Sequence, residues 1–97
     1  MYVILTSRPG QFRTEPVDGM NEIEAYDYGF YGRTIAHFVI AEVDRPVKVR
    51  VVEDTPAAIV NHVPSKFLEH FATLDAARAE LRNLARFGSM DLTLTRV

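Results

Sequence analysis

The chain is 97 residues long, 47% of its residues are hydrophobic and 25% are charged, and its formal net charge is −2. These values predict one globular domain over residues 1–97, because a chain of this size and composition buries enough apolar surface to fold alone. The absence of cysteine excludes disulfides and thiolate-bound metals, and no apolar run approaches the roughly 20 residues that a membrane-spanning helix needs.

The first third of the chain predicts two strands separated by a long loop. Residues 1–6 are apolar on both alternating faces, which is typical of a strand in the middle of a sheet. Residues 7–20 contain two prolines and two glycines and show no helical period, so they predict a loop. A ferredoxin-like β–α–β–β–α–β arrangement, which needs a helix here, is therefore excluded. Residues 22–31 follow as a polar and aromatic strand.

A hairpin and two further strands come next. Gly29–Arg33 supplies the glycines of a tight turn, although the sequence does not say which residues occupy the turn positions. Residues 34–43 predict a strand that is apolar on both faces, and Asp44–Pro46 predicts a reversal of the chain. In residues 47–51 valines alternate with basic residues, which predicts a half-buried strand. The two faces of the 34–43 strand carry Ala36, Phe38 and Ile40 on one side and Ile35, His37, Val39 and Ala41 on the other.

Residues 55–64 predict a loop, and two interpretations of residues 65–71 stay open. A short helix beginning at Pro64–Ser65 and covering residues 66–70 is one, and an extended segment with two phenylalanines turned inward is the other.

The clearest element is a helix over residues 74–87. Thr73 is a suitable N-cap, Asp75 places negative charge in the first turn, and Gly88 is a suitable C-cap. Between them, apolar residues recur at three- and four-residue steps and form one stripe. Residues 90–97 then alternate between apolar and polar residues, which predicts a closing strand.

Together these elements predict an α+β domain with a four- to five-stranded, mainly antiparallel sheet and one principal helix, about 74–87, packed on one face. A single helix covers only one side of a sheet. The face that carries Ile35, His37, Val39 and Ala41 then needs cover from residues 7–21, from a second copy of the chain or from a partner protein.

Aromatic residues cluster around the predicted hairpin beside an arginine. The candidate binding residues are Tyr26, Tyr28, Tyr31, Arg33 and His37. Such a group can stack nucleic-acid bases, line a small-molecule pocket or anchor a protein interface, and it can also simply pack across two strands. Asp27 lies between two of the tyrosines, so phosphate groups would be repelled there.

Charge is unevenly distributed along the chain. Residues 15–27 contain five acidic residues and no basic one, whereas Arg78, Arg82 and Arg86 follow one another at four-residue spacing along the predicted helix. This pattern has three interpretations. The charges form two solvated faces, they attract each other within one chain or between two copies, or the arginines bind nucleic acid. The net negative charge argues against nucleic acid.

No catalytic signature is recognisable. The three histidines match no standard metal-ligand spacing, no G-x-S-x-G occurs, and the glycines form no nucleotide-binding fingerprint. No catalytic residue, metal or cofactor is therefore predicted. The leading hypothesis is a non-catalytic accessory or protein-interaction module, with a homodimer as one form of it. The alternatives are a small-ligand-binding protein or minor enzyme with an aromatic pocket, and a nucleic-acid binder using the arginine row.

The expected location is the cytoplasm, because the first residues lack the basic start and long apolar segment of a signal peptide. Nine arginines against two lysines, together with many alanines and valines, favour a GC-rich bacterial source.

Overall fold

The structure, a computed structural model, describes residues 1–86 and 92–97. In chain order the elements are β1 Tyr2–Ser7, β2 Phe12–Glu15, β3 Met20–Phe30, β4 Arg33–Val43, β5 Lys48–Glu53, β6 Val60–Pro64, β7 His70–Phe71, α1 Leu74–Arg86 and β8 Leu92–Arg96. Within the described residues the strands form two antiparallel sheets, one of five strands in the order β7-β1-β4-β3-β8 and one of three strands in the order β2-β5-β6. The predicted α+β class, with a five-stranded antiparallel sheet and one helix in the C-terminal half, is confirmed.

The helix α1 packs on one face of the five-stranded sheet. The hydroxyl of Thr73 accepts a hydrogen bond from the backbone N–H of Ala76 at 3.1 Å, so the predicted N-cap is confirmed. The helix buries Ala77 and Leu81 in one core cluster with Ile4, Ala36, Phe38 and Ile40 of β1 and β4. Among the described residues, no helix has the length and apolar character to cross a bilayer. The predicted C-cap Gly88 and the first residues of the predicted 90–97 strand lie outside the described residues.

The three-stranded sheet covers much of the other face. Val3 and Leu5 of β1 and Val39, Ala41 and Val43 of β4 form a second core cluster with Val49 of β5. Of the three expected covers for Val39 and Ala41, residues 7–21 contribute in part, because Met20 packs against this core. The rest of the cover comes from β5, so burial of these two residues requires neither a second copy nor a partner. Each residue of β4 from Phe38 to Ala41 is buried, and alternate residues belong to different cores.

Two predicted loops contain strands. β2 lies within residues 7–20 and β6 within residues 55–64, and both pair antiparallel with β5. β2 takes its order from this pairing, which its local sequence pattern does not reveal. For residues 65–71 each interpretation is correct in part, because a 3-10 turn over Ser65–Phe67 precedes the short extended pair of β7.

The hairpin between β3 and β4 has a two-residue turn. Tyr31 and Gly32 have φ angles of 51° and 75°, as the primed turns that suit the twist of a hairpin require. The register between these strands shifts twice, so that Ile23 and Ile35 have no opposite residue. Such bulges redirect side chains locally.

Candidate functional site

The five hairpin residues singled out in the sequence do not converge. Tyr26 and Tyr28 lie on the helix side of β3, whereas His37 pairs with Asp27 on the opposite face. Tyr31 and Arg33 are exposed at the hairpin turn. The structure therefore distributes these side chains over three environments and does not bring them together around one pocket.

Tyr28 connects the hairpin to the helix. Its ring meets Phe38 edge-on at a centroid separation of 6.0 Å, and its hydroxyl donates a hydrogen bond to the carbonyl oxygen of Leu84 at 3.1 Å. The ring contact joins β3 to β4, and the hydrogen bond joins β3 to α1. This side chain is engaged within the domain.

A buried carboxylate joins three elements near the N-terminal half of α1. The side chain of Glu24 on β3 is only 2% exposed, and Nε of Arg78 donates to its two oxygens at 2.9 and 3.2 Å. The hydroxyl of Tyr26 donates to the same carboxylate at 2.7 Å, and Nη2 of Arg96 on β8 lies 3.5 Å away. Buried charges need such partners.

These contacts shift three pKa values. The hydrogen bonds from Arg78 and Tyr26 lower the pKa of Glu24 from 4.5 to about 2, against the opposing effect of burial. Burial, followed by the hydrogen bond to Glu24, raises the pKa of Tyr26. The hydrogen bond to Glu24 also raises the pKa of Arg78. Glu24 is therefore ionised throughout the physiological pH range.

The arginine row is partly engaged in these contacts. Arg78 binds Glu24 and lies 3.2 Å from Asp75, so attraction within one chain accounts for its charge. Arg82 is exposed on α1, and the side chain of Arg86 is outside the described part of the structure. A phosphate group at Arg78 would have to compete with two carboxylates.

Asp27, His37 and Ser7 lie side by side on three neighbouring strands. Nδ1 of His37 is 2.8 Å from Oδ1 of Asp27, and Ser7 is the residue opposite His37 on β1. However, the hydroxyl of Ser7 accepts from the backbone N–H of Thr14 at 2.9 Å, and among the described side chains it has no hydrogen bond to His37. The row has the residue types of an acyl-transfer site without the contact between nucleophile and base. No three His, Asp or Glu side chains of residues 1–86 and 92–97 are grouped to hold a metal.

The outer edge of β6 is an exposed strand edge. The backbone N–H of Glu53 donates to the carbonyl of Ile59, and that of Ser65 donates to the carbonyl of Val47. Antiparallel hydrogen bonding alternates along a strand, so the backbone groups of Val60 and His62 point away from β5. The side chains of Ile59 and Val60 are 52% and 40% exposed. No Asp, Glu, Lys or Arg occurs in residues 55–65.

A cavity of about 420 Å³ lies where β4 turns into β5, and it falls within the size range of small-molecule sites. Met1, Val43 and Pro46 supply its apolar walls. Asp44, Arg45 and Lys66 are its charged residues, and Ser65 and His70 complete the lining.

The sequence contained a signal for one of these two sites. Residues 59–63 include three β-branched residues between Pro56 and Pro64, which is typical of a strand, and the surrounding segment is uncharged. The cavity had no comparable signal, because its residues come from three separate segments.

Comparison with protein-family models, curated proteins and solved structures finds no match to this chain.

Proposed function

We propose that this domain is a non-catalytic interaction module that pairs with a second copy of itself through the outer edge of β6. The exposed, uncharged edge of β6 is the observation that supports this proposal. An unprotected edge strand presents free backbone donors and acceptors and is a template for another strand. The Asp27–His37–Ser7 row does not favour catalysis, since among the described residues the Ser7 hydroxyl makes no hydrogen bond to His37.

The other outer strands in the described part of the chain carry the features that protect edges. β7 has two residues, and β2 carries Arg13 and Glu15, which form an ion pair at 3.2 Å. β8 carries Arg96. Short length and charge both discourage pairing between molecules. β6 has five residues, none of them an acid, a lysine or an arginine, and its proline, Pro64, stands at its end, two residues beyond His62.

The chemistry of β6 favours a second copy over an unrelated strand. In an antiparallel pair centred on Asn61, the outward backbone groups of Val60 in one copy meet those of His62 in the other, which gives four hydrogen bonds. The two Asn61 amides face each other, and an amide both donates and accepts, so the centre is complementary to itself. Because the edge carries no carboxylate, lysine or arginine, two identical edges approach without strong charge repulsion.

Four backbone hydrogen bonds contribute only about 4 kcal/mol in total, so apolar burial has to supply the rest of the affinity. Ile59, just before β6, and Val60 within it provide exposed apolar surface, and Phe67, which is 72% exposed, follows them in the chain. A standard interface takes about 800 Å² from each partner, a modest share of the 6272 Å² accessible to this chain.

Light scattering and hydrogen exchange together test the proposal. We expect the molar mass to rise from 11.0 kDa toward twice that value as the concentration increases from micromolar to millimolar. The outward amides of Val60 and His62 should become protected over the same range, because a monomer leaves them open to water.

Asn61→Asp places two like charges at the centre of the pair. It should abolish both the rise in molar mass and the protection of the Val60 and His62 amides. Gln11→Glu makes the same change of an amide to a carboxylate on an exposed residue away from β6 and should preserve them. A mass of 11.0 kDa at every concentration would overturn self-association. A dimer that survives Asn61→Asp with Val60 and His62 still unprotected would place the interface elsewhere.

A further inference from the structure

We infer that the cavity at the β4–β5 bend binds a small organic anion with an apolar body, of the chemical class of medium-chain carboxylates. This inference is independent of pairing through β6. The cavity combines apolar walls from Met1, Val43 and Pro46 with two basic side chains, Arg45 and Lys66. A concave site with mostly apolar lining and a few polar groups is the usual form of a small-molecule site.

The charges around the cavity favour an anion. The lining contains two basic residues, Arg45 and Lys66, and one acidic residue, Asp44, so its formal charge is positive. Within residues 1–86 and 92–97 neither basic side chain belongs to an ion pair; Nζ of Lys66 lies 5.2 Å from the centre of the Phe67 ring. A metal ion or an organic cation would be repelled by the same two side chains.

The rim of the cavity is held in place before any ligand arrives. Ser65 is buried, with a relative exposure of 5%. Its backbone N–H donates to the carbonyl of Val47 at 2.7 Å, and its hydroxyl accepts from the backbone N–H of Val47 at 3.1 Å. These bonds fasten the β4–β5 connection to the segment that carries Lys66. Preorganisation of this kind reduces the entropic cost of binding.

His70 adds a polar group whose orientation is defined. Its Nε2 lies 2.7 Å from the carbonyl oxygen of Ser65, and because a carbonyl only accepts, Nε2 carries the hydrogen. Nδ1 is therefore the ring nitrogen that remains for a further contact.

The size and lining of the cavity distinguish an organic anion from inorganic phosphate. A volume of 420 Å³ with apolar walls leaves most of the space unused by a phosphate ion. A carboxylate on a chain of about eight carbons can place its charge near Lys66 and bury its chain against Val43 and Pro46, where removal of methylene groups from water favours binding.

An NMR titration with octanoate, octanol and inorganic phosphate tests the inference. We expect octanoate to shift the backbone amides of residues 43–45, 47 and 65–70, with an affinity about tenfold higher than that of octanol. Octanol has the same chain without the charge and isolates the contribution of the head group. Inorganic phosphate should shift the same amides weakly or not at all.

Two variants assign the effect to the basic side chains. Lys66→Gln and Arg45→Gln should each weaken octanoate binding by about threefold to tenfold and leave octanol binding unchanged. Lys48→Gln removes the only other lysine, which does not line the cavity, and should leave both affinities unchanged. Equal affinities for octanoate and octanol, shifts confined to other residues, or an equal effect of Lys66→Gln and Lys48→Gln would overturn the inference.

Discussion

The Glu24 carboxylate and the Arg78 guanidinium, 54 residues apart in the sequence, meet between β3 and α1 through hydrogen bonds from Nε of 2.9 and 3.2 Å and a further contact from Nη2. Arg96 approaches the same carboxylate from β8. One acidic side chain therefore connects a central strand, the helix and the edge strand of the larger sheet.

Replacement of Glu24 by glutamine should destabilise the domain. Glutamine keeps the size of the side chain and loses the charge that Arg78 and Arg96 face, so we expect a loss of about 2 kcal/mol in the free energy of unfolding. Urea denaturation at neutral pH measures it. Glu22→Gln, on the same strand but exposed, should change stability by less than about 0.5 kcal/mol. Equal losses from both variants would contradict the role of the Glu24 contacts.

The stabilisation from Glu24 should depend on pH in a defined window. Its pKa is about 2 in the folded domain and 4.5 in a free side chain. A lowered folded pKa means that the stabilisation is fully present above 4.5 and is lost as the pH falls toward 2. We therefore expect the stability difference between the wild type and Glu24→Gln to be constant above pH 5 and to shrink below it. A difference that stays constant down to pH 2 would contradict the low pKa.

Removal of the Tyr26 hydroxyl should raise the pKa of Glu24. In Tyr26→Phe the carboxylate loses the 2.7 Å hydrogen bond and keeps those from Arg78, so its pKa should rise and remain below 4.5. Tyr28→Phe is the matched control, because that hydroxyl donates to the carbonyl of Leu84. NMR titration of the Glu24 carboxyl carbon measures both variants. The prediction fails if both substitutions move this pKa equally.

Two glycines with similar backbone conformations should respond differently to alanine. Gly19 and Gly10 both have positive φ angles, 93° and 79°. A Cβ at Gly19 would lie 2.9 Å from Cγ1 of Val47 and 3.2 Å from Nε of Arg45, whereas one at Gly10 would meet nothing within 4 Å. We expect Gly10→Ala to cost about 1–2 kcal/mol from the backbone alone. Gly19→Ala should cost about 1–3 kcal/mol more because of the crowding. Thermal or urea unfolding of both variants tests the difference.

Two leucines of α1 should also respond differently to alanine, because one is buried and the other is exposed. Leu81 is 1% exposed in the core against β1 and β4, and Leu84 is 39% exposed. Leu81→Ala should cost about 3 kcal/mol, since it leaves a cavity, and Leu84→Ala about 1 kcal/mol or less. Urea midpoints of the two variants measure this. Comparable losses would mean that the helix buries a different stripe.

Local patterns identified the elements whose signals are contained in a short segment. The Thr73 cap and the apolar stripe of α1 lie within one stretch of chain, apolar residues on both faces identified β4, and alternation identified β5. β2 takes its order from pairing with β5, whereas the β-branched residues of β6 stand between two prolines that predict a loop. Without these two strands the second sheet was not foreseen as the cover for Val39 and Ala41.

The candidate sites were less predictable for the same reason. Tyr26 and Arg78 were singled out separately, but only the folded chain shows that they share Glu24. His37 was expected near Tyr26 and Tyr28 because they lie close in sequence. In a strand pair, the direction of a side chain depends on the register, which placed His37 opposite Asp27 on the other face.

The two-sided burial of β4 determines where the chain tolerates a change in length. Phe38 and Ile40 belong to the core beneath the helix, and Val39 and Ala41 to the core beneath the smaller sheet. Inserting one residue into this strand would send each of these side chains into the opposite core. The exposed Tyr31–Gly32 turn lies outside both cores, so it is the natural place for a peptide tag or a fluorescent label.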